Sequence, residues 1–339
     1  MKAADLAKIL GFYGRFTPTY SRIGYLARRP GWSRDSRDFS GQHWLVTGAS
    51  GGIGAAIVAG AAAGGATVTA VARSMDKLEE MRSRLPVEAA ERLSLRGCDL
   101  ARVAAIDGLL AELSADAATL DVLVNNVGVL LNDLTLTDEG FETSYVTNLL
   151  GHFQLTEGLL DAKGLHAKGL HAKGLHAKGL DKKGTTAAPL ILNMASGGLY
   201  NVPLGTPFLN VTDAKRYSGK LAYAAHKRGQ VELSERWDTR LSEQGGQSYV
   251  LHPGWVRTEG VRSALPVFYR LQGALLRTPA EGADTALWLA ATRPSEAGRE
   301  IWFDRAVRPQ HVFPHTRTPT CTPQDLFAFL ERDLAAARA

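Results

Sequence analysis

The chain has 339 residues, with 39 Lys plus Arg against 34 Asp plus Glu, 45% hydrophobic and 8% aromatic residues. That length is ample for a real core, and the hydrophobic content excludes wholesale disorder. Two cysteines, Cys98 and Cys321, cannot build a disulfide framework. The net charge of +5 is uneven: residues 1–40 hold eight Lys/Arg and three Asp/Glu, and residues 161–184 hold six Lys and two Asp, leaving the remainder at −4. A mildly acidic body argues against nucleic acid as a partner.

Residues 1–40 read as a basic amphipathic N-terminal extension. Leu6, Ile9, Leu10, Tyr13 and Phe16 recur at helical spacing, with basic residues between them. A helix lying on a membrane surface and a helix docked on the main domain both fit that pattern. The stretch from Leu6 to Leu26 is interrupted by Lys8, Arg15, Pro18 and Arg22, so it lacks the apolar core of a signal peptide. Trp44 to Ala72 is free of charge and long enough to span a bilayer by count. Its many glycines read better as strand, turn, helix, turn and strand. The expectation is a cytoplasmic protein, with peripheral membrane contact through residues 1–40 left open.

From residue 43 short apolar runs alternate with helical stretches. Strands are predicted at 43–47, 66–72, 93–98, 120–126, 189–195, 248–252 and near 300–304. Helices are predicted at 52–64, 74–84, 101–115, 138–160, 219–243 and 279–291. This rhythm implies an α/β fold, a Rossmann-type doubly wound parallel sheet with helices on both faces. It spans 41–305, and 306–339 reads as a C-terminal tail with a short helix. One segment breaks the rhythm. Asp161–Leu165 (DAKGL) is followed by three HAKGL copies at His166–Leu170, His171–Leu175 and His176–Leu180. A five-residue period steps about 140° around a helix, so no face forms, and each copy carries a glycine. The histidines share no helical face and lack a carboxylate or cysteine pattern, so no metal is assigned. The insert, 161–184, reads as a flexible loop. Lying between a helix and the next strand, it belongs at the strands' N-terminal edge, away from any ligand.

Two constellations carry chemistry. Residues 43–54 read HWLVTGASGGIG, a strand leading through Gly48, Ser50, Gly52, Ile53 and Gly54 into a helix. Glycines let the backbone turn sharply and approach a pyrophosphate, and the helix N-terminus offers N–H groups and partial positive charge. Arg73, just past the second strand, stands where NAD-binding folds often place an acid. A cation there pairs with a 2′-phosphate, which selects NADP (NADPH). The second constellation is Tyr223 with Lys227, four residues apart on one helical face. A free phenol has a pKa near ~10, and a neighbouring ammonium favours the phenolate.

Taken together, these motifs resemble the classical short-chain dehydrogenase/reductase family. They occur in the expected order: Thr47–Gly54 (TGASGGIG), Asp99-Leu100, Asn125–Gly128 (NNVG), Asn148, Ser196, Tyr223 with Lys227, and Pro253–Thr258 (PGWVRT). Within the family, Glu232–Trp237, His252–Pro266 and Gly282–Ala290 most resemble the dehydrogenase/reductase member twelve branch, with the retinol-dehydrogenase-like subgroup as neighbour. The resemblance implies that Tyr223 is the general acid or base, with Lys227 lowering its pKa and binding the nicotinamide ribose. It implies that Ser196 holds the substrate oxygen and that Asn148 holds a relay water towards Lys227. Asp99 and Leu100 would meet the adenine, Asn126 and Gly128 the adenosine side, and Pro253, Val256 and Thr258 the nicotinamide end. Val127 replaces the usual alanine. A homo-oligomer is implied by the family habit alone.

The expected substrate loop, 255–278, offers Trp255, Val261, Leu265, Val267, Phe268, Tyr269, Leu271 and Leu275, which suggests a hydrophobic alcohol or carbonyl compound. The function expected is an NADP(H)-dependent oxidoreductase, a carbonyl reductase or alcohol dehydrogenase. A non-catalytic NADP-binding sensor or partner-binding protein is the alternative, and an epimerase or dehydratase of the extended group is a lesser one.

Overall fold

The computed structural model describes residues 16–116, 119–162 and 188–339. Its centre is an eight-stranded sheet made of β1 (His43–Thr47), β2 (Thr67–Ala72), β3 (Leu93–Gly97), β4 (Val122–Asn125), β5 (Leu190–Met194), β6 (Gln247–Leu251), β7 (Ile301–Phe303) and β8 (Ala306–Arg308). The order across the sheet is β3-β2-β1-β4-β5-β6-β7-β8. All neighbours run parallel except β7 with β8. Strand order therefore reverses between β1 and β4, which is the switch point where such sheets bind ligands at the strands' C-terminal ends.

Helices cover both faces, as a parallel sheet requires. On one side α2 (Gly52–Ala63), α3 (Met75–Ser83) and α7 (Pro279–Thr292) pack over Trp44, Val46, Val68, Leu192 and Tyr249. α1 (Arg22–Arg28) precedes the sheet. On the other side α4 (Val103–Ala115), α5 (Gly151–Asp161), α6 (Gly219–Ser242) and α8 (Pro323–Arg338) enclose Leu45, Leu123, Ile191, Trp237 and Leu326. Gly60 lets α7 approach α2, because a Cβ there would lie 2.4 Å from Leu287.

Four features differ from the sequence reading. The helix predicted over 138–160 starts at Thr143; residues ahead of it form an isolated antiparallel bridge between Leu136 and Glu142. The helix then widens into a π-turn over Val146–Leu150 before α5. The sheet continues past residue 305, because β8 folds back on β7 through a two-residue turn. Asp304 (φ +52°) and Arg305 (φ +56°) are both left-handed there, the geometry of a twist-matched hairpin. The final helix is 16 residues long, starts with a Thr322–Asp325 capping box, and buries Leu326 and Leu330 in the core.

Of the two alternatives for the N-terminal extension, the described part docks. Phe16, Tyr20 and Tyr25 are buried, and Phe16 and Tyr20 join Tyr200, Val250, Ile301 and Phe303 in an aromatic cluster. Leu6, Ile9, Leu10 and Tyr13 lie outside the described residues, as do residues 163–187 with most of the HAKGL insert.

Candidate active site

The glycine turn follows β1 at the switch point. Gly48 (φ +65°) and Gly52 (φ +55°) take left-handed backbone that an L side chain rarely adopts. At Gly54 a Cβ would stand 2.2 Å from the Gly48 carbonyl oxygen, so only glycine lets α2 close on the turn. Gly51 caps α2 with no side-chain bond, and nothing lies within 4 Å of where its Cβ would be. The first-turn N–H groups of α2 are thereby left for an anion. Ser50 sits in the turn, half-buried.

The turn is tied to the end of β4. Thr47 Oγ1 donates to the Val124 carbonyl (3.1 Å) and accepts from the backbone N–H groups of Asn126 (3.0 Å) and Val127 (3.1 Å). Asn126 Nδ2 donates to the Thr47 carbonyl at 2.8 Å. From the far side, Thr258 brings its methyl to 3.1 Å from a Cβ position on Gly52, and its hydroxyl accepts from Val261 N–H at 3.2 Å. Val256 and Ile53 meet over Gly282, where a Cβ would lie 2.6 and 3.3 Å from them. Sequence positions two hundred residues apart thus form one cleft wall. Asp99 accepts from the Ala101 N–H at 3.1 Å. Leu100 buries its side chain in the core, which leaves only its main chain for a nucleotide. Arg73 is exposed just beyond β2.

Tyr223, Lys227, Ser196 and Asn148, the expected proton-handling groups, converge at the ends of β4 and β5. Lys227 is buried, and its Nζ donates to the Met194 carbonyl at 2.8 Å and to Gln230 Oε1 at 3.3 Å. It stands 5.6 Å from the centre of the Tyr223 ring. A Cβ on Gly128 would lie 3.2 Å from Lys227 Nζ and 3.4 Å from Asn148 Oδ1, so Gly128 opens the space where these groups meet. Burial lowers the Lys227 pKa to about 7. Burial raises that of Tyr223, and a hydrogen bond with Ser196 pulls the other way. Ser196 Oγ also accepts from the Gly198 N–H at 3.3 Å, which fixes the hydroxyl beside the phenol.

Asn148 lies in the π-turn. Its side chain is committed to the backbone, with Oδ1 accepting from Val129 N–H (2.7 Å) and Nδ2 donating to the Val129 carbonyl (2.8 Å). Its own carbonyl accepts from Gln230 Nε2 at 2.8 Å. Gln230 was missed by motif reading, although its position three residues after Lys227 places it on the same helical face.

Pro253 and the expected substrate loop meet the extension. Arg277 is buried at the loop's end and donates through Nη1 to the Pro253 carbonyl (3.3 Å) and to Asp304 Oδ1 (2.5 Å). Its Nε reaches the Tyr20 carbonyl at 3.0 Å and its Nη2 the Thr19 carbonyl at 3.2 Å. Arg28 reaches the same Asp304 through Nε at 2.8 Å. The Trp255 N–H donates to the Tyr20 carbonyl at 2.9 Å. Of the loop's apolar residues, Phe268 is buried against Trp255, while Val267 and Leu271 are exposed.

A nicotinamide nucleotide fits this arrangement: a cradle that side chains would fill, an open helix start, and a buried ammonium between phenol and strand end. Comparison with known proteins agrees. Residues 42–169 match the sequence profile described as short chain dehydrogenase. The chain is 30% identical over 311 residues to Dehydrogenase/reductase SDR family member 12 of Bos taurus, covering 90% of each. It is 30% identical over 260 residues to Retinol dehydrogenase 12 of Homo sapiens, covering 76% of this chain and 75% of that one. In fold it matches L-sorbose reductase from Gluconobacter frateurii, solved with NADPH and L-sorbose, with a TM-score of 0.59 at 19% identity over 79% of this chain and 96% of that one. Likeness of this extent along both chains decides the family: the chain belongs to the short-chain dehydrogenase/reductases, nicotinamide-nucleotide-dependent oxidoreductases of alcohol and carbonyl groups.

Proposed function

We propose that the chain is an NADP(H)-dependent oxidoreductase that interconverts a carbonyl and a secondary or primary alcohol on a hydrophobic substrate, with Tyr223 as acid/base. The observation that carries this is the Tyr223 phenol bonded to Ser196, with the buried Lys227 ammonium beneath its ring. The nucleotide supplies or accepts the hydride; the protein's part is orientation and proton transfer. In reduction Tyr223 gives its proton to the substrate oxygen, and in oxidation it takes that proton back. Ser196 donates to the same oxygen as negative charge develops there. Lys227 stabilises the phenolate that Tyr223 leaves behind, which offsets the upward push of burial on the phenol. NADP rather than NAD is supported by the exposed Arg73 beyond β2, and a lipophilic substrate by the apolar loop 255–278.

The test is nucleotide titration of the purified chain, followed by turnover on lipophilic carbonyl compounds. Tyr223→Phe should lower turnover by about 10²–10⁴-fold with nucleotide affinity unchanged. Nucleotide binding with no Tyr223-dependent turnover on any carbonyl or alcohol would favour the sensor reading instead.

Peripheral membrane contact is a second proposal, favoured by one observation. α1 presents Ile23 and Leu26, 51% and 44% exposed, beside Arg22 and Arg29. Apolar side chains beside arginines suit an anionic lipid surface. No described helix is long and apolar enough to cross a membrane.

A further inference from the structure

Behind Lys227 lies a set of buried polar side chains that the reaction above leaves without a role. Gln230 is 1% exposed. Its Oε1 accepts from Lys227 Nζ at 3.3 Å, while its Nε2 donates to the Asn148 carbonyl at 2.8 Å and to His152 Nδ1 at 3.0 Å. The Asn148 carbonyl lies in the wide turn over Val146–Leu150, where it accepts from the Gln230 side chain. The Asn148 side chain is already held by Val129 and, at 3.3 Å, by His226 Nδ1. Contact between Asn148 and the lysine therefore runs through Gln230.

We propose that Gln230 is a positioning residue for Lys227: it accepts from the ammonium, is anchored on the Asn148 carbonyl, and fills by a side chain the link that the family resemblance gives to a water. The proposal rests on the oxidoreductase reading. The groups facing Lys227 are Tyr223 and Gln230 from its own helix, the Met194 carbonyl from β5, and Gly128 and Asn148 from the loop and turn that follow β4. His152 on α5 and His226 on α6 are the nearby titratable groups, and burial keeps both neutral. No carboxylate pairs with Lys227 among the described residues, and burial pushes its pKa down. Two acceptors thus hold the charge, the Met194 carbonyl and Gln230. Removing one disfavours the ammonium; making it an anion favours the ammonium.

The experiment titrates the full chain with NADPH, and in parallel with NADH, by nucleotide fluorescence at a series of pH values from about 6 to 9.5. In the unchanged protein, affinity should weaken as pH rises through the range where Lys227 loses its proton. Gln230→Met keeps the length and removes the acceptor, so the break should move down by about one pH unit. Gln230→Glu should move it up by a similar amount. Opposite shifts are not the result of a packing role, which would lower the melting temperature in both and leave the break in place. Breaks that stay put, or that move together, overturn the proposal, as does a flat profile in the unchanged protein. If Gln230→Met does not fold, the upward shift in Gln230→Glu decides alone. Binding of neither nucleotide at any pH would instead sink the oxidoreductase reading, and this inference with it.

Discussion

The cleft at the switch point and the clamp on the N-terminal extension are built in opposite ways. The cleft is assembled from short contiguous motifs, each ending a strand or starting a helix, and its groups keep open positions: Gly51 without a cap, Arg73 exposed, Ser196 beside a phenol. The clamp is assembled from single residues scattered over the chain, and its central pair is closed off. Arg277 and Asp304 are each 1% exposed in their side chains and bind one another twice. A second set, Arg37 with Asp35 and Asp284, and Arg305 with the same two carboxylates, ties the extension to α7 and the β7–β8 turn. A binding site keeps groups poised for a visitor, whereas a clamp spends all its groups on itself.

Asp304→Ala tests that contrast hardest. It strips the shared acceptor from Arg277 and Arg28 and leaves a buried guanidinium without its carboxylate. Such a loss costs about 3–5 kcal/mol, read as a lower urea midpoint. An unchanged midpoint would mean that the extension is merely laid on the surface.

The next effect concerns Glu142, beneath the cleft. It is fully buried, accepts from the Ser144 hydroxyl, and lies 3.8 Å from His226 Nε2. Burial pushes its pKa up to about 7 from 4.5. A carboxyl with a raised folded pKa stabilises below its unfolded value and loses that contribution as pH climbs through the folded one. Glu142→Gln should therefore raise stability by about 1–3 kcal/mol above pH 7 and give no gain at pH 4. Denaturation at the two pH values checks it; an equal gain at both would mean that the ionisation of Glu142 is not what costs the protein.

The smallest expected change belongs to the cleft. Arg73→Ala should weaken NADPH by about tenfold, or ~1.4 kcal/mol, and leave NADH affinity and the urea midpoint unchanged. An equal loss for both nucleotides would remove Arg73 as the selector.

This contrast also explains what could be read from the sequence. The first seven strands, the glycine turn and the Tyr223–Lys227 pair were legible because each depends on neighbours within a dozen residues. The sheet's parallel order followed from alternation alone. The π-turn at Val146–Leu150 was not legible, because a single extra residue in a helical turn leaves the apolar rhythm nearly intact. Arg277 read as the end of an apolar loop, and Asp304 as the end of a strand. Their pairing depends on the way β7 turns back, and nothing local to either residue announces it. Gln230 escaped for a different reason: a glutamine on a mostly buried helix has no chemistry of its own until its partners are known.

The clamp has a consequence for how the chain comes to be made. Arg28 and Asp304 are 276 residues apart. At a synthesis rate of about 5–20 residues per second, the first must wait roughly 15–55 s for the second to emerge. Through that interval Phe16, Tyr20 and Tyr25 lack part of their native surroundings, Phe303 and Arg277 among them. The strands from β1 to β6 can pair in order of emergence, but residues 16–28 are seated only once β7 and its turn have emerged. The nascent chain therefore travels with this segment sticky and unfastened, which is the state that holding chaperones act on.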